Sequence, residues 1–293
     1  MKFVKNIRIM KAPLSENTDN YSLIKPVSNF SLNLKEVWEY RELFYFFAWR
    51  DIKVKYKQTV LGVMWAVLQP LVMILIFSLV FTRLINNAGG APLDIPYPVF
   101  FLSGLMLWNM FSSGLSHAGD SMVANSNIIK KIYFPRLIIP MSAIIVTVFD
   151  FLITFSLFII LLFVYKVTPS LSVLFLMPAA LILTVVTSLG IGTFMSALNV
   201  KYRDFRYVLP FMIQILLFIS PVIYPVTIVK SEWYKYLISL NPMTGAIMLS
   251  RSGITGETPD LYMLLISVAS AIFWLLLGVY TFRKTESYFA DLA

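Results

Sequence analysis

Few residues in this sequence of 293 could do chemistry, and their positions say more than their number. Cysteine is absent and His117 is the only histidine, so neither a thiolate nor a histidine metal site can be assembled. For the same reason no nucleophile, histidine and acid set can be built, and His117 reads as capping or packing at the end of its helix. No Gly-Lys pair occurs, which excludes a phosphate-cradling P-loop, and no Asp-x-Asp pair suits a metal-dependent glycosyltransferase. A machine built on this chain draws its energy from another subunit or from an ion gradient. What remains is an acid inside an apolar stretch, rings beside amides, and greasy basic segments.

The acid is Asp150, near the midpoint of the uncharged run between Arg136 and Lys166. A carboxylate at a bilayer centre costs about 2.5–3.5 kcal/mol on insertion scales, so it must face protein or water. Either it handles protons or lines a pathway, or it is helix glue bonded to Thr184, Thr187 or Ser188; the lack of a second intramembrane carrier favours glue. Rings and amides share helix faces at Gly62, Trp65 and Gln69, and again at Phe211, Gln214, Phe218 and Pro221, with Tyr224 just beyond. Apolar sugar faces stack on rings while hydroxyls bond to amides, so these residues are candidates for a sugar path, with plain packing as the alternative. Pro70, Pro210, Pro221 and Pro225 mark helices that bend.

The elements that position these groups must be membrane helices. Apolar residues make up 58% of the chain and charged ones 13%, at a mean hydropathy of +0.77, against about 25% charged in soluble domains. Six apolar stretches are long enough to span, at about 61–81, 99–117, 137–165, 173–198, 208–226 and 261–282. Of the 24 Lys and Arg, 19 fall in alternate segments on one side and 5 on the other, which puts both termini in the cytoplasm. The basic charge is therefore a topology signal and gives no support to nucleic-acid binding.

The chain thus divides into a tail at 1–30, an amphipathic interfacial helix at 31–58 and a six-span domain at 59–293. The N-terminal segment reads as retained rather than as a cleaved signal. In the interfacial helix Leu34, Val37, Trp38, Phe44, Tyr45 and Ala48 form the apolar face, while Arg50, Lys53 and Lys57 line a face toward anionic head groups or a partner. Between spans two and three, Ile128, Ile129, Lys130, Lys131, Ile132, Tyr133, Phe134 and Arg136 form a greasy, basic knob too short to span. Ser126 or Asn127 caps a short helix there, which Pro135 ends. Tyr202, Arg203, Asp204 and Arg206 repeat that character on a smaller scale. Between spans five and six, Trp233 and Tyr236 precede a break at Asn241-Pro242, so two short amphipathic pieces are expected to dip back into the outer leaflet.

Five ordered blocks carry a family resemblance: RDIKVKYKQTVLGVMWAVLQP from Arg50, IIKKIYFPR from Ile128, NVKYRDFRYVLP from Asn199, SPVIYP from Ser220 and LNPMTG from Leu240. Together they resemble the permeases of polysaccharide-export ABC transporters, which move lipid-linked O-antigen, capsule or teichoic acid chains. The resemblance covers roughly Glu36 to the C-terminus. It implies an all-α bacterial inner-membrane protein that is not itself an enzyme. It further implies a homodimer working with two copies of a separate ATP-binding subunit, which holds ATP and Mg while this chain holds no cofactor. The substrate it implies is a glycan linked to undecaprenyl diphosphate. By the same resemblance, 125–136 is the coupling element in the ATPase cleft, 36–57 flanks the route of lipid access, and 233–250 is a re-entrant outer gate. A proton-coupled secondary transporter, or a membrane enzyme acting on polyprenyl-linked sugars, would require ionisable clusters that the sequence lacks.

Overall fold

The computed structural model describes residues 34–57, 62–87, 95–202, 204–228 and 231–286; the tail at 1–30 and Arg203 lie outside the described residues. All regular structure among them is helical. In lipid a backbone must satisfy its own hydrogen bonds, and helices do so segment by segment. In order, the helices are α1 (Leu34–Glu39), α2 (Arg41–Lys57), α3 (Gly62–Asn87), α4 (Tyr97–Ala124), α5 (Ser126–Ile129) and α6 (Ile138–Val164). There follow α7 (Val173–Lys201), α8 (Phe205–Ile219), α9 (Glu232–Ser239), α10 (Pro242–Thr255) and α11 (Leu261–Thr285). Gly62 opens α3.

Five helices, α3, α4, α6, α7 and α11, are long and apolar enough to cross a membrane. The stretch expected at 208–226 differs. Its helix α8 has 15 residues and stops at Ile219, where Ser220 turns to an extended conformation ahead of Pro221. At about 1.5 Å per residue α8 is roughly 22 Å long, some 8 Å short of the ~30 Å hydrocarbon core. The stretch expected to end at His117 instead continues to Ala124, so His117 sits two turns inside α4 rather than at a terminus.

Packing centres on α7, which lies against α4, α10 and α11. Small residues allow this closeness. A Cβ on Gly190 would stand 2.5 Å from the Leu275 backbone nitrogen, and one on Gly278 would overlap the Gly190 carbonyl. The α10 helix is almost wholly enclosed, with Met243, Thr244, Ala246, Ile247 and Ser250 buried. It is a core element rather than a surface-lying piece. By contrast α3 and α8 leave large side chains uncovered, among them Trp65, Leu79, Phe211 and Phe218.

The interfacial helix is corrected in one respect: it breaks at Tyr40 into α1 and α2. Of the expected apolar face Ala48 is buried, as is the neighbouring Phe47, Val37 and Phe44 pack beside Phe47, and Trp38 and Tyr45 are exposed. Phe47 packs on Phe134 at 5.8 Å, while nine residues on Tyr56 meets Phe149 of α6 at 5.4 Å. Thus α2 runs alongside α6 in the same direction instead of crossing beneath it.

Candidate functional site

The tilt of α2 determines what Asp150 meets. Lys55 Nζ donates to Asp150 Oδ2 at 2.6 Å, and the Tyr56 hydroxyl donates to Oδ1. Burial first, then the Asp150 carboxylate, holds the Tyr56 phenol well above its ordinary range, so it remains a donor. The expected partners are not used: Thr184 and Thr187 bond back to the carbonyls of Ala180 and Leu183, and the Ser188 hydroxyl is buried without a partner. Sequence spacing on α6 and α7 could not reveal this, because the cation arrives from a helix 95 residues away.

The Lys55, Tyr56 and Asp150 group lines a cavity of about 570 Å³ between α2, α3, α4, α6 and α8. The structure gathers here three of the candidate path residues, Trp65, Gln69 and Gln214. It adds a polar stripe the sequence reading missed: Asn109, Ser112, Ser113, Ser116 and His117, all on α4. Positions 109, 113 and 116 recur at helical spacing, a signal present in the sequence but masked by the apolar residues around it. The His117 ring is bonded within its own helix, Nδ1 lying 2.9 Å from the Ser113 carbonyl. Phe211, Phe218 and Tyr224 do not line the cavity. The Tyr224 hydroxyl instead donates to the Ile219 carbonyl at the broken end of α8.

At that broken end, a second residue escaped the sequence reading. Arg251 of α10 donates to the carbonyls of Pro221 at 2.7 Å and Val222 at 2.8 Å, with its guanidinium 3.5 Å from the centre of the Phe100 ring. Tyr97 donates to the next carbonyl, Ile223, at 3.0 Å. Asn241 caps α10 by accepting from the Met243 amide and sends its Nδ2 to Ser220 Oγ at 2.7 Å. The carbonyls of Pro221, Val222 and Ile223, in the non-helical stretch after α8, are thereby satisfied, as a low-dielectric setting demands. Pro242 is buried at the first turn of α10, as the Asn-Pro break leads one to expect, whereas Trp233 is exposed and Tyr236 pairs with Glu232 at 3.4 Å.

The knob at 128–136 divides by burial. Its helix is the four-residue α5, which follows Asn125 in the capping position without a side-chain cap and ends at Ile129, well before Pro135. Ile129 and Phe134 are anchors, buried with Phe47, Leu137 and Ile138, and Ile128 packs beside them. Ile132 and Tyr133 stand outside at 59% and 56% exposure, with Lys130 and Lys131 beside them. Arg136 donates to the Glu286 carbonyl just past α11. Arg50 is engaged at this same corner, on Asp51 and on Asn125 Oδ1 at 2.9 Å, which leaves Lys53 and Lys57 on the exposed face of α2. In the smaller segment Tyr202 is exposed, Asp204 precedes α8 without capping it, and Arg206 reaches Asp120 at 3.8 Å.

Residues 42–255 match the family model described as ABC-2 type transporter. Over 244 residues, 83% of this chain and 92% of the relative, the sequence is 30% identical to an O-antigen export system permease protein RfbA of Klebsiella pneumoniae. An RfbA protein of the same description from Myxococcus xanthus is 26% identical over 259 residues, 86% of this chain and 96% of the relative. The polysialic acid transport protein KpsM of Escherichia coli is 27% identical over 213 residues, 70% of this chain and 78% of the relative.

Proposed function

This chain belongs to the ABC-2 type transporter family, and from that premise we propose that it is the permease of a polysaccharide exporter whose cargo is a lipid-linked glycan of the O-antigen class. The observation that carries this reading is the likeness to O-antigen export permeases, which runs over more than four fifths of the chain and more than nine tenths of the relatives.

In this reading the protein sits in the bacterial inner membrane with both termini in the cytoplasm. Two copies enclose the conduit, and two ATP-binding subunits, which hold ATP and Mg, drive it. The chain up to Pro225 completes the crossing that α8 begins, and α9 and α10 form the outer gate, dipping back from the far side. Force enters through Ile132 and Tyr133, which are apolar, exposed and framed by cations, while Phe134 and Ile129 transmit it to α2 and α6 through the cluster they share. The cargo is a glycan on undecaprenyl diphosphate. Lys53 and Lys57 on the exposed face of α2 meet its anionic carrier at the inner leaflet, and the cavity with Trp65, Gln69 and Gln214 receives its sugars.

Deletion of the gene in its source bacterium tests this. The expected result is loss of surface O-antigen, with undecaprenyl-linked glycan accumulating on the cytoplasmic side, and rescue by the intact gene. Unchanged surface glycan would overturn it. Loss of a capsule in place of O-antigen would select the capsule reading, which the likeness to the polysialic acid transport proteins favours.

A further inference from the structure

The cavity beside α2 has a chemistry of its own. Its charged lining residues are Lys55 and Asp150, and they are paired at 2.6 Å. The remaining polar lining is made of hydroxyls and amides, notably Asn109, Ser113, Gln69 and Gln214, with the Trp65 ring among them and the His117 imidazole, whose Nδ1 is bonded to the Ser113 carbonyl. Such a set exchanges hydrogen bonds with hydroxyls in both directions and offers one flat apolar face, which is what a pyranose ring presents. A phosphate or a sugar carboxylate would find a cation already neutralised and would have to leave water for a site with no net charge.

Depth fits the same ligand. The α6 helix has 27 residues, so at about 1.5 Å each it measures roughly 40 Å and overshoots a ~30 Å hydrocarbon core by about 10 Å. If Tyr165 and Lys166 mark one boundary, Asp150 lies about 22 Å inward, within about 8 Å of the opposite boundary. That is inside the hydrocarbon but within about two helical turns of its boundary on the side of the 126–136 knob, close to where a saccharide attached to a lipid first meets the protein.

We propose that this cavity is a binding site for uncharged sugar rings, in which Asp150 is a hydroxyl acceptor, and that it selects neutral over anionic saccharides. Asp150 suits the role because its carboxylate has about four acceptor positions, of which Lys55 and Tyr56 each take one. The proposal rests on the polysaccharide-export reading and deepens it by assigning the charge class of the sugars admitted at the inner mouth.

The native chain has no cysteine, so a single introduced thiol reports on one position. In the purified full-length permease, Ser113→Cys places the thiol in the cavity and Thr258→Cys places a control on the exposed loop before α11. The rate of modification by an uncharged water-soluble maleimide is measured with maltotriose, with trigalacturonate and with inorganic pyrophosphate at equal concentration. Maltotriose is expected to slow labelling at position 113 at least threefold and the two anions to leave it unchanged, while position 258 reacts equally throughout. Asp150→Asn, or Asn109→Leu on α4 should the first fail to fold, is expected to abolish most of that protection. Equal or better protection by trigalacturonate or pyrophosphate, protection by none of the three, or protection indifferent to both substitutions overturns the site. Surface glycan export in cells is scored in parallel. Export with no protection at position 113 refutes this site alone, whereas loss of the gene without effect on surface glycan refutes the export reading.

Discussion

Removing Lys55 is the sharpest perturbation the structure offers, because it strands the Asp150 carboxylate inside a membrane helix. The pair is 36% and 21% exposed, intermediate between a surface ion pair, worth about 0–1 kcal/mol, and a buried one, whose breaking costs about 3–5 kcal/mol. Lys55→Met is therefore expected to destabilise the protein by about 2 kcal/mol. Asp150→Leu alone leaves the Tyr56 hydroxyl without its partner, which costs about 1 kcal/mol, while the ammonium has a long stem with which to reach water at little further cost. The double variant removes both charges and leaves only the Tyr56 hydroxyl without its partner, at a cost of about 1 kcal/mol. The coupling is thus about 2 kcal/mol, close to thirtyfold in the unfolding equilibrium. It is read from a double-mutant cycle of unfolding in mixed micelles titrated with SDS. Additivity of the single variants to within about 0.4 kcal/mol would refute the claim that α2 is held to α6 by charge.

Other expectations follow from the same geometry. Ile132→Asp or Tyr133→Asp should leave thermal stability within about 0.5 kcal/mol, since both side chains are exposed, yet uncouple ATP hydrolysis from export in the assembled transporter; normal export would remove the knob from the drive train. Phe134→Asp should instead unfold the corner, because it buries a charge beside Phe47. Gly278→Val should cost more than about 3 kcal/mol or prevent accumulation, as its Cβ overlaps the Gly190 carbonyl; near-normal yield would show that α7 and α11 separate easily. Arg251→Gln should lose at least one of two carbonyl bonds and about 2 kcal/mol, with faster proteolysis between α8 and α9. With its phenol held above the ordinary value near 10, Tyr56 contributes stability that is complete below that pH and declines as pH rises past it; Tyr56→Phe should flatten that decline in a pH series of melting temperatures.

What was legible in the sequence followed from local rules. Apolar length gives the helices, and Asn241-Pro242 gives the start of α10, because an Asn cap and a Pro in the first turn are short-range signals. How the apolar face of α2 is shared between protein and surroundings was not legible: in a membrane protein an apolar stripe can meet lipid, so periodicity does not say which side is protein. Ala48 packs, as does Phe47, which the expected face omitted, while Tyr45 is left outside with Trp38 of α1. The partners of Asp150 were hidden because they depend on the tilt of α2, a tertiary quantity. Arg251 was hidden because a charge between spans reads as a loop residue, and nothing local reveals that α10 is enclosed. The ring-and-amide faces were half legible as geometry: Trp65, Gln69 and Gln214 converge because α3 and α8 flank one cavity, but Phe211 and Phe218 occupy the uncovered side of α8.

The close backbone approach between α7 and α11 also bears on biogenesis. The Gly190 and Gly278 contact joins positions far apart in the chain, and α11 follows every other described helix in the order of synthesis. Until it emerges and inserts, α7 presents an unfilled groove of small residues to lipid, while α10 is covered by α7, α4 and α9. Docking of α11 is thus the step that completes the packing of α7 among the described helices.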